Sequence, residues 1–469
     1  MGVLDLQKLV KSYGRKSDKS TYSRVIIDGN NLVFSRIASV ISQMNKRNNI
    51  IHEFDGFTFN VVEQLKRIIS MARAECIRVI NSYTHVHNSI HIIFDPDTTP
   101  LYKIRTDMLI TYDTELSDTE FNEFLLEDKE ELIIKLKEDE QNKRKDSQSN
   151  KTIQKSLEAI DKLSEDETTK EILKKIVTQS SYFKNVEGYK KLIKIVAMDV
   201  QYTLREQSNI YFYQSNIEAD LSIKNLGIKL LKEGAEDLLI LSDDTDYFIL
   251  FGDTENVYCQ GISRNGDQYE AISIFRRLFG EHYSYDYVVR LSPILGNDYT
   301  VHSKLCGADD VDRVLALFGF NNKLKITGLK SLKYKSTIKK VVTAENNVKL
   351  IENLSEEYSP IMIDKIIKNY DEAYFRRYII SVLTYLNIES YSEDYYRTTI
   401  TEQELMEKYE AIHDMVQEKF GQLYDWTYTN SIHNKIFRDS ITELELPQNL
   451  FELTHTLDIP EDMPEVLSD

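Results

Sequence analysis

Four short apolar segments of this chain each run straight into an acid. "YSRVIID" ends at Asp28 and "SIHIIFD" at Asp95. "NIYFYQS" precedes Glu218 and Asp220, and "LLILSDD" ends at Asp244 with Asp246 two residues on. Each segment is rich in Ile, Val, Tyr or Phe and unbroken enough for a strand covered on both faces. Residues 59–83 read as a helix between the first two. Residues 217–233 carry Ala219, Ile223, Leu226 and Leu230, the spacing of one helix face, just after the third. Such alternation specifies an α/β fold with a central, mostly parallel sheet flanked by helices. In an open parallel sheet the carboxyl ends of the strands face one crevice, so these acids are expected to meet there.

A single Asp after a strand is ordinarily a turn residue or a helix N-cap, and Asp243 fits that role. Glu218 alone could simply favour a helix N-terminus through the dipole. The recurrence of an acid at every strand end asks for more. Asp298, in "LSPILGNDYT", follows another apolar stretch and could approach the same place. Carboxylates gathered so closely repel, and their pKa values rise until some are neutral. Divalent cations keep such a cluster ionised. Oxygen-only ligands suit Mg²⁺ or Mn²⁺, and the lack of clustered His or Cys argues against zinc. Two such ions about 4 Å apart can activate a water and stabilise a leaving oxygen in phosphodiester cleavage. If the backbone stays extended past the fourth strand, Asp244 and Asp246 point to one side and address the ions together.

About 100 residues separate the second strand from the third, far more than an ordinary crossover. Within them, 117–140 read as an exposed acidic helix, 142–150 as a linker and 152–205 as helical again. Beyond Tyr299 the chain is expected to be mainly helical to about residue 440. Residues 441–469 lack Lys and Arg, hold three prolines and are acidic, which reads as a flexible tail. At 469 residues, two or three structural units are expected. The net charge of −18 argues against a non-specific nucleic-acid binder, although a local basic surface can still hold phosphate. Cys76, Cys259 and Cys306 have no CxxC spacing, which speaks against a disulfide framework or structural zinc and fits a reducing compartment. There is neither an apolar run of membrane-spanning length nor a secretory h-region, so the expected location is intracellular, nuclear or cytoplasmic. No GxxxxGK[ST] loop supports a nucleotide-fuelled enzyme.

These residues, in this order, resemble the flap endonuclease/XPG superfamily of structure-specific 5′ nucleases, which has a PIN-like fold; some features resemble its asteroid branch. "MGVLDLQKLV" resembles the family's N-terminus, with Gly2 close to the active site. "VIIDGNN" resembles its first acidic motif and "IIFDPDTTP" its "FDG…P" motif. "IEADLS" is similar to "EAE" or "EAD", "SDDTDYFILFG" to "EDxDxxxFG" and "LGNDY" to "LGSDY". The resemblance implies a nuclease domain over 1–300, with motifs in 1–100 and 206–300 and an arch-like helical insertion at 101–205. A helical region at 301–440 and the tail at 441–469 would follow. It implies that Asp28, Asp95, Glu218, Asp220, Asp244, Asp246 and Asp298 hold two Mg²⁺ or Mn²⁺ ions, with Lys103 and Arg105 steadying the scissile phosphate. It implies a branched or single-stranded nucleic-acid partner, DNA or RNA, handled by a monomer. Lys143, Arg144 and Lys145 could extend the basic surface.

The chain departs from the family's pattern after Tyr299. The glycine-rich "GIGxxxA" element that grips duplex backbone is absent, with only Gly307 left as a turn candidate. A run containing Lys323, Lys325, Lys330, Lys333, Lys335, Lys339 and Lys340, with Tyr334 among them, could replace that contact. No "QxxLxxFF"-like clamp-binding motif follows. The alternative to a nuclease is therefore a non-catalytic scaffold or interaction protein on the same fold.

Overall fold

The computed structural model describes residues 3, 6–50, 57–59, 61–84, 88–96, scattered positions from 154 to 162, 166–181, 186–262, 267–297, 381, 395–421, 423–428, 439–444 and 450–455. The chain forms two compact units, each assembled from three separate segments. The first comprises 1–31, 84–134 and 211–398, and the second 32–83, 135–210 and 399–469.

The first unit is built on an eight-stranded sheet. In chain order its strands are β1 (Arg15–Ser17), β2 (Arg24–Asp28), β4 (Ser89–Phe94), β5 (Ile210–Ser215), β6 (Leu238–Leu241), β7 (Val257–Gln260), β8 (Gln268–Glu270) and β9 (Tyr395–Arg397). Across the sheet they lie in the order β1-β8-β7-β6-β2-β4-β5-β9. β2 pairs in parallel with both β4 and β6, and β6 in parallel with β7. The margins are antiparallel, where β8 joins β7 and β1, and β9 joins β5. The central strands are the four expected ones, and their apolar runs explain their position. In β2, β4 and β6 nearly every residue is buried, as both-face coverage requires.

Helices α1 (Leu6–Tyr13), α6 (Ala219–Lys232), α7 (Asp246–Leu250), α8 (Ala271–Phe279) and α9 (Tyr285–Leu295) supply the rest of this core. Gly280–His282 form a short 3₁₀ turn between the last two. α6 lies against β2 and β4 and buries Ala219, Ile223, Leu226 and Leu230, the face marked by its spacing. Burying each Leu or Ile side chain contributes roughly 1.5–3 kcal/mol. One expectation fails here. The backbone is not extended through Asp244 and Asp246: β6 stops at Leu241, and Asp246 is the first residue of α7. The run "YFIL" is helical because its apolar side chains all find cover, with Tyr247 and Ile249 fully enclosed.

The second unit holds α3 (Val61–Ser82), α4 (Glu167–Ser181), α5 (Val186–Leu204), α10 (Glu402–Phe420) and α11 (Leu450–His455). Helix α2 (Gly29–Ile50) begins at the end of β2 and runs into this unit. β3 (Phe57–Phe59), β10 (Leu423–Tyr428) and β11 (Asp439–Leu444) form a three-stranded antiparallel sheet in the order β11-β10-β3. The buried Asp199 of α5 ties four helices together. It accepts from Arg73 Nη1 at 3.0 Å and from Tyr409 Oη at 2.9 Å, and its other oxygen lies 3.1 Å from His455 Nε2. α10 opens on a capping box in which Thr401 Oγ1 accepts the Glu404 N–H and Glu404 accepts the Thr401 N–H.

Of the segment 441–469, expected as a flexible tail, the described residues lie in β11 and α11. Its composition is acidic, but His455 supplies a specific partner for a buried carboxylate. Of the insertion 101–205, the described residues begin at 154 and are helical in α4 and α5. Residues 101–153 lie outside the described residues, as do nearly all of 298–394. Among the described residues no helix is long and apolar enough to cross a membrane.

Candidate metal centre

β2, β4 and β6 are parallel, so they deliver Asp28, Asp95 and the Ser242–Asp246 turn to the same end of the sheet. Asp28 is the last residue of β2 and is almost fully buried. Its Oδ1 accepts the Asn31 N–H at 3.0 Å. Its Oδ2 accepts Ser242 Oγ at 3.0 Å and lies 3.1 Å from Tyr247 Oη. Asp95 stands just past β4 and is exposed. It accepts Asn30 Nδ2 at 2.8 Å and the Ala219 N–H, at the start of α6, at 2.9 Å. Gln214 of β5 donates to the Asp95 carbonyl.

The closest gathering lies where α6 meets the turn after β6. One carboxylate oxygen each from Asp220, Asp244 and Asp246 lies within 4.8 Å of the others. The turn is held by its own hydrogen bonds, from the Asp244 N–H to Ser242 Oγ at 3.0 Å and from the Asp246 N–H to Asp244 Oδ1 at 3.2 Å. Three carboxylates at this separation, two half-buried and one buried, suit a hard divalent cation and could hold one.

The electrostatics point the same way. Burial, then the charge of Asp95, pushes Asp28 up to about 7, although the bonds from Asn31 and Ser242 pull against this. Asp220 is raised well above the usual carboxylate range, first by burial and then by Asp244 and Asp28. Between them stands Tyr247. Its hydroxyl lies 2.6 Å from Asp220 Oδ1 and 3.1 Å from Asp28 Oδ2. A tyrosine has one proton to donate. Both contacts are hydrogen bonds only if one carboxyl is protonated and donates to the tyrosine oxygen. Burial and these same acids also raise the Tyr247 hydroxyl, so it stays a donor at neutral pH.

Of the seven acids singled out in the sequence, Asp220, Asp244 and Asp246 converge most closely. Asp28 and Asp95 lie within their electrostatic reach. Glu218 is the N-cap residue of α6, in extended backbone and without a side-chain capping bond, and it is not one of the close trio. Asp243 is exposed in the turn, its N–H bonded to Asn31 Oδ1 at 3.0 Å. Asp298, Lys103 and Arg105 lie outside the described residues, as do Gly2, Lys143–Lys145, Gly307 and the lysines from 323 to 340.

The sequence reading passed over Tyr247, Ser242, Asn30 and Asn31. Their signal was present, since "DGNN" and "SDDTDY" place polar groups directly beside the acids. Nothing in that spacing told which carboxylate each would reach.

No protein-family model matches the chain, and no curated protein does. Solved structures do overlap it, and two of them can be named. One is the crystal structure of the T5 D15 protein co-crystallised with metal ions, at 12% identity and a TM-score of 0.31, covering 85% of this chain and 96% of that one. The other is the bacteriophage T5 D15 flap endonuclease in a pseudo-enzyme-product complex with DNA and metal ions, at 11% identity and a TM-score of 0.34, with the same coverage. Overlaps this loose carry no argument about chemistry, which rests on the carboxylates of the chain itself.

Proposed function

We propose that this protein is a metal-dependent nuclease that hydrolyses phosphodiester bonds at 5′ flaps or single-stranded ends of nucleic acid. The observation that carries the reading is the convergence of Asp220, Asp244 and Asp246 beside a buried, charge-stressed Asp28. Asp220, Asp244 and Asp246 would hold a divalent ion, Mg²⁺ or Mn²⁺. Asp28, Asp95, Glu218 and Asp298 would complete the setting of a second. Bound ions of this kind supply an activated water at neutral pH and neutralise charge on the scissile phosphate.

The chain's own groups do the positioning. Ser242 and the Asn31 N–H fix the Asp28 carboxylate, and Asn30 and the Ala219 N–H fix that of Asp95. Tyr247 keeps Asp28 and Asp220 at a set separation by sharing one hydroxyl between them. Lys103 and Arg105 would steady the phosphate.

The test is cleavage of 5′-flap and single-stranded DNA and RNA with Mg²⁺ or Mn²⁺, comparing wild type with Asp220→Asn/Asp244→Asn. Wild type should cut and the double variant should lose activity by at least about 10²-fold. If wild type cuts none of these substrates with either ion, the nuclease reading is wrong.

A further inference from the structure

Along the sheet edge made by β4, β5 and β9 runs a second cluster, of rings and guanidiniums, with Arg24 of β2 beside it. Arg24 opens β2 and pairs in register with Ser89, and Ser89 Oγ lies 2.8 Å from His91 Nε2. The His91 ring is stacked within 17° of both Tyr211 and Tyr213, with centroids 5.1 Å and 5.8 Å away. Tyr213 pairs in register with Arg397 on β9, whose guanidinium lies over the Tyr211 ring at 4.7 Å. Strand alternation puts all these side chains on one face. The adjacent Tyr396 turns to the other face of β9 and is 53% exposed, one of two large apolar side chains so exposed among the described residues.

The charge here runs against the rest of the molecule. In a chain of net charge −18, Arg24 and Arg397 form no ion pair among the described residues. Arg24 donates to the Ser23 carbonyl, and Arg397 is exposed and meets a ring face. Glu233 influences Tyr213 but bridges neither arginine. His91 does not add to the charge. Its burial, then Arg24 and Arg397, hold its pKa down to about 4. The permanent positive charge of the cluster therefore comes from two guanidiniums, which suit phosphate.

We infer that the β9 margin is a second nucleic-acid contact, in which Arg397 and Arg24 hold phosphates of a single strand while Tyr396 offers a ring for a base. Unpaired arginine beside exposed aromatic surface is the combination that single strands use: charge follows the backbone, and any base can stack. The occupant is single-stranded nucleic acid rather than a protein segment, because the free charge is cationic and the exposed ring is aromatic. This inference deepens the nuclease reading by placing a strand-holding surface along the sheet edge next to Asp95, where Tyr396 pairs with Gln214, and it rests on that reading for the choice of partner.

The experiment measures binding apart from cleavage. Fluorescence anisotropy with a fluorescein-labelled oligodeoxythymidine, without divalent ion, is run over a salt series on the full chain. Wild type, Arg397→Gln, Tyr396→Ala and Asp220→Asn/Asp244→Asn are compared, with melting temperatures as a check on folding. Arg397→Gln should weaken binding and flatten the log–log salt slope by about 0.7, one phosphate's worth for a single strand. Tyr396→Ala should weaken binding by roughly fivefold or more with the slope unchanged. Unaltered affinity and slope in both β9 variants, or no binding by wild type, would overturn the inference. Cleavage with normal dependence on the carboxylates but none on β9 defeats this inference and leaves the nuclease standing. Binding that depends on β9 without any cleavage does the reverse.

Discussion

At the residue scale, Asp28 joins geometry to a measurable energy. Its ordinary pKa is 3.8 and its value in the fold is about 7. Between these, the folded chain holds a proton that the unfolded chain has released. By linkage, stability falls as pH rises through that window, and the full cost remains above it. His91 has the opposite sign. Its value is lowered to about 4, so its contribution to stability grows as pH rises towards 6.5 and is lost as pH falls. The acids' effect is therefore read cleanly between about pH 6.5 and pH 8. Without divalent ions the melting temperature should decline across this interval. Asp28→Asn should abolish most of the decline and raise stability at the upper end by on the order of 1–3 kcal/mol. An unchanged pH profile in that variant would show that Asp28 is not the stressed group. The neighbouring Gly29 is a steric requirement. A Cβ there would stand 2.6 Å from the Phe94 ring and 2.9 Å from the Ile93 carbonyl. Gly29→Ala should cost about 1–3 kcal/mol in chemical denaturation, because backbone as well as ring must give way.

At the element scale, the four acid-terminated strands were legible because a parallel sheet buries unbroken apolar runs. The register of α6 was legible because its apolar face has the helical period. The turn between β6 and α7 was not. "SDDTDYFIL" alternates too little to declare its backbone, and only cover from neighbouring helices makes "YFIL" helical. The short margins were equally hidden. β9 has three residues and pairs with a strand about 180 positions earlier, and β1 pairs with β8 over a longer span. Tertiary context, not propensity, makes such strands. In the second unit, Asp199 shows how buried charge fixes helix packing. Asp199→Ala should destabilise the protein by about 3–5 kcal/mol, since it strands the buried Arg73. Thr401→Ala, which removes only an exposed cap, should cost about 1 kcal/mol. Similar losses for the two by urea titration would contradict the organising role given to Asp199.

At the scale of the whole molecule, a net charge of −18 and the proposed nucleic-acid partner pull in opposite directions. Asp28, Asp95, Asp220, Asp244 and Asp246 gather at one end of the central sheet, where cations would offset them, while Arg24 on β2 and Arg397 on β9 make no ion pair among the described residues. The two compact units are each assembled from three separate stretches of the chain. All of this turns on whether the carboxylates hold metal. Isothermal titration with Mn²⁺ near neutral pH, on wild type and on Asp220→Asn/Asp244→Asn, tests that most directly. Wild type should give saturable heat and a raised melting temperature, and the double variant should lose both. Silent titration of wild type, or the same isotherm from both proteins, would contradict the account.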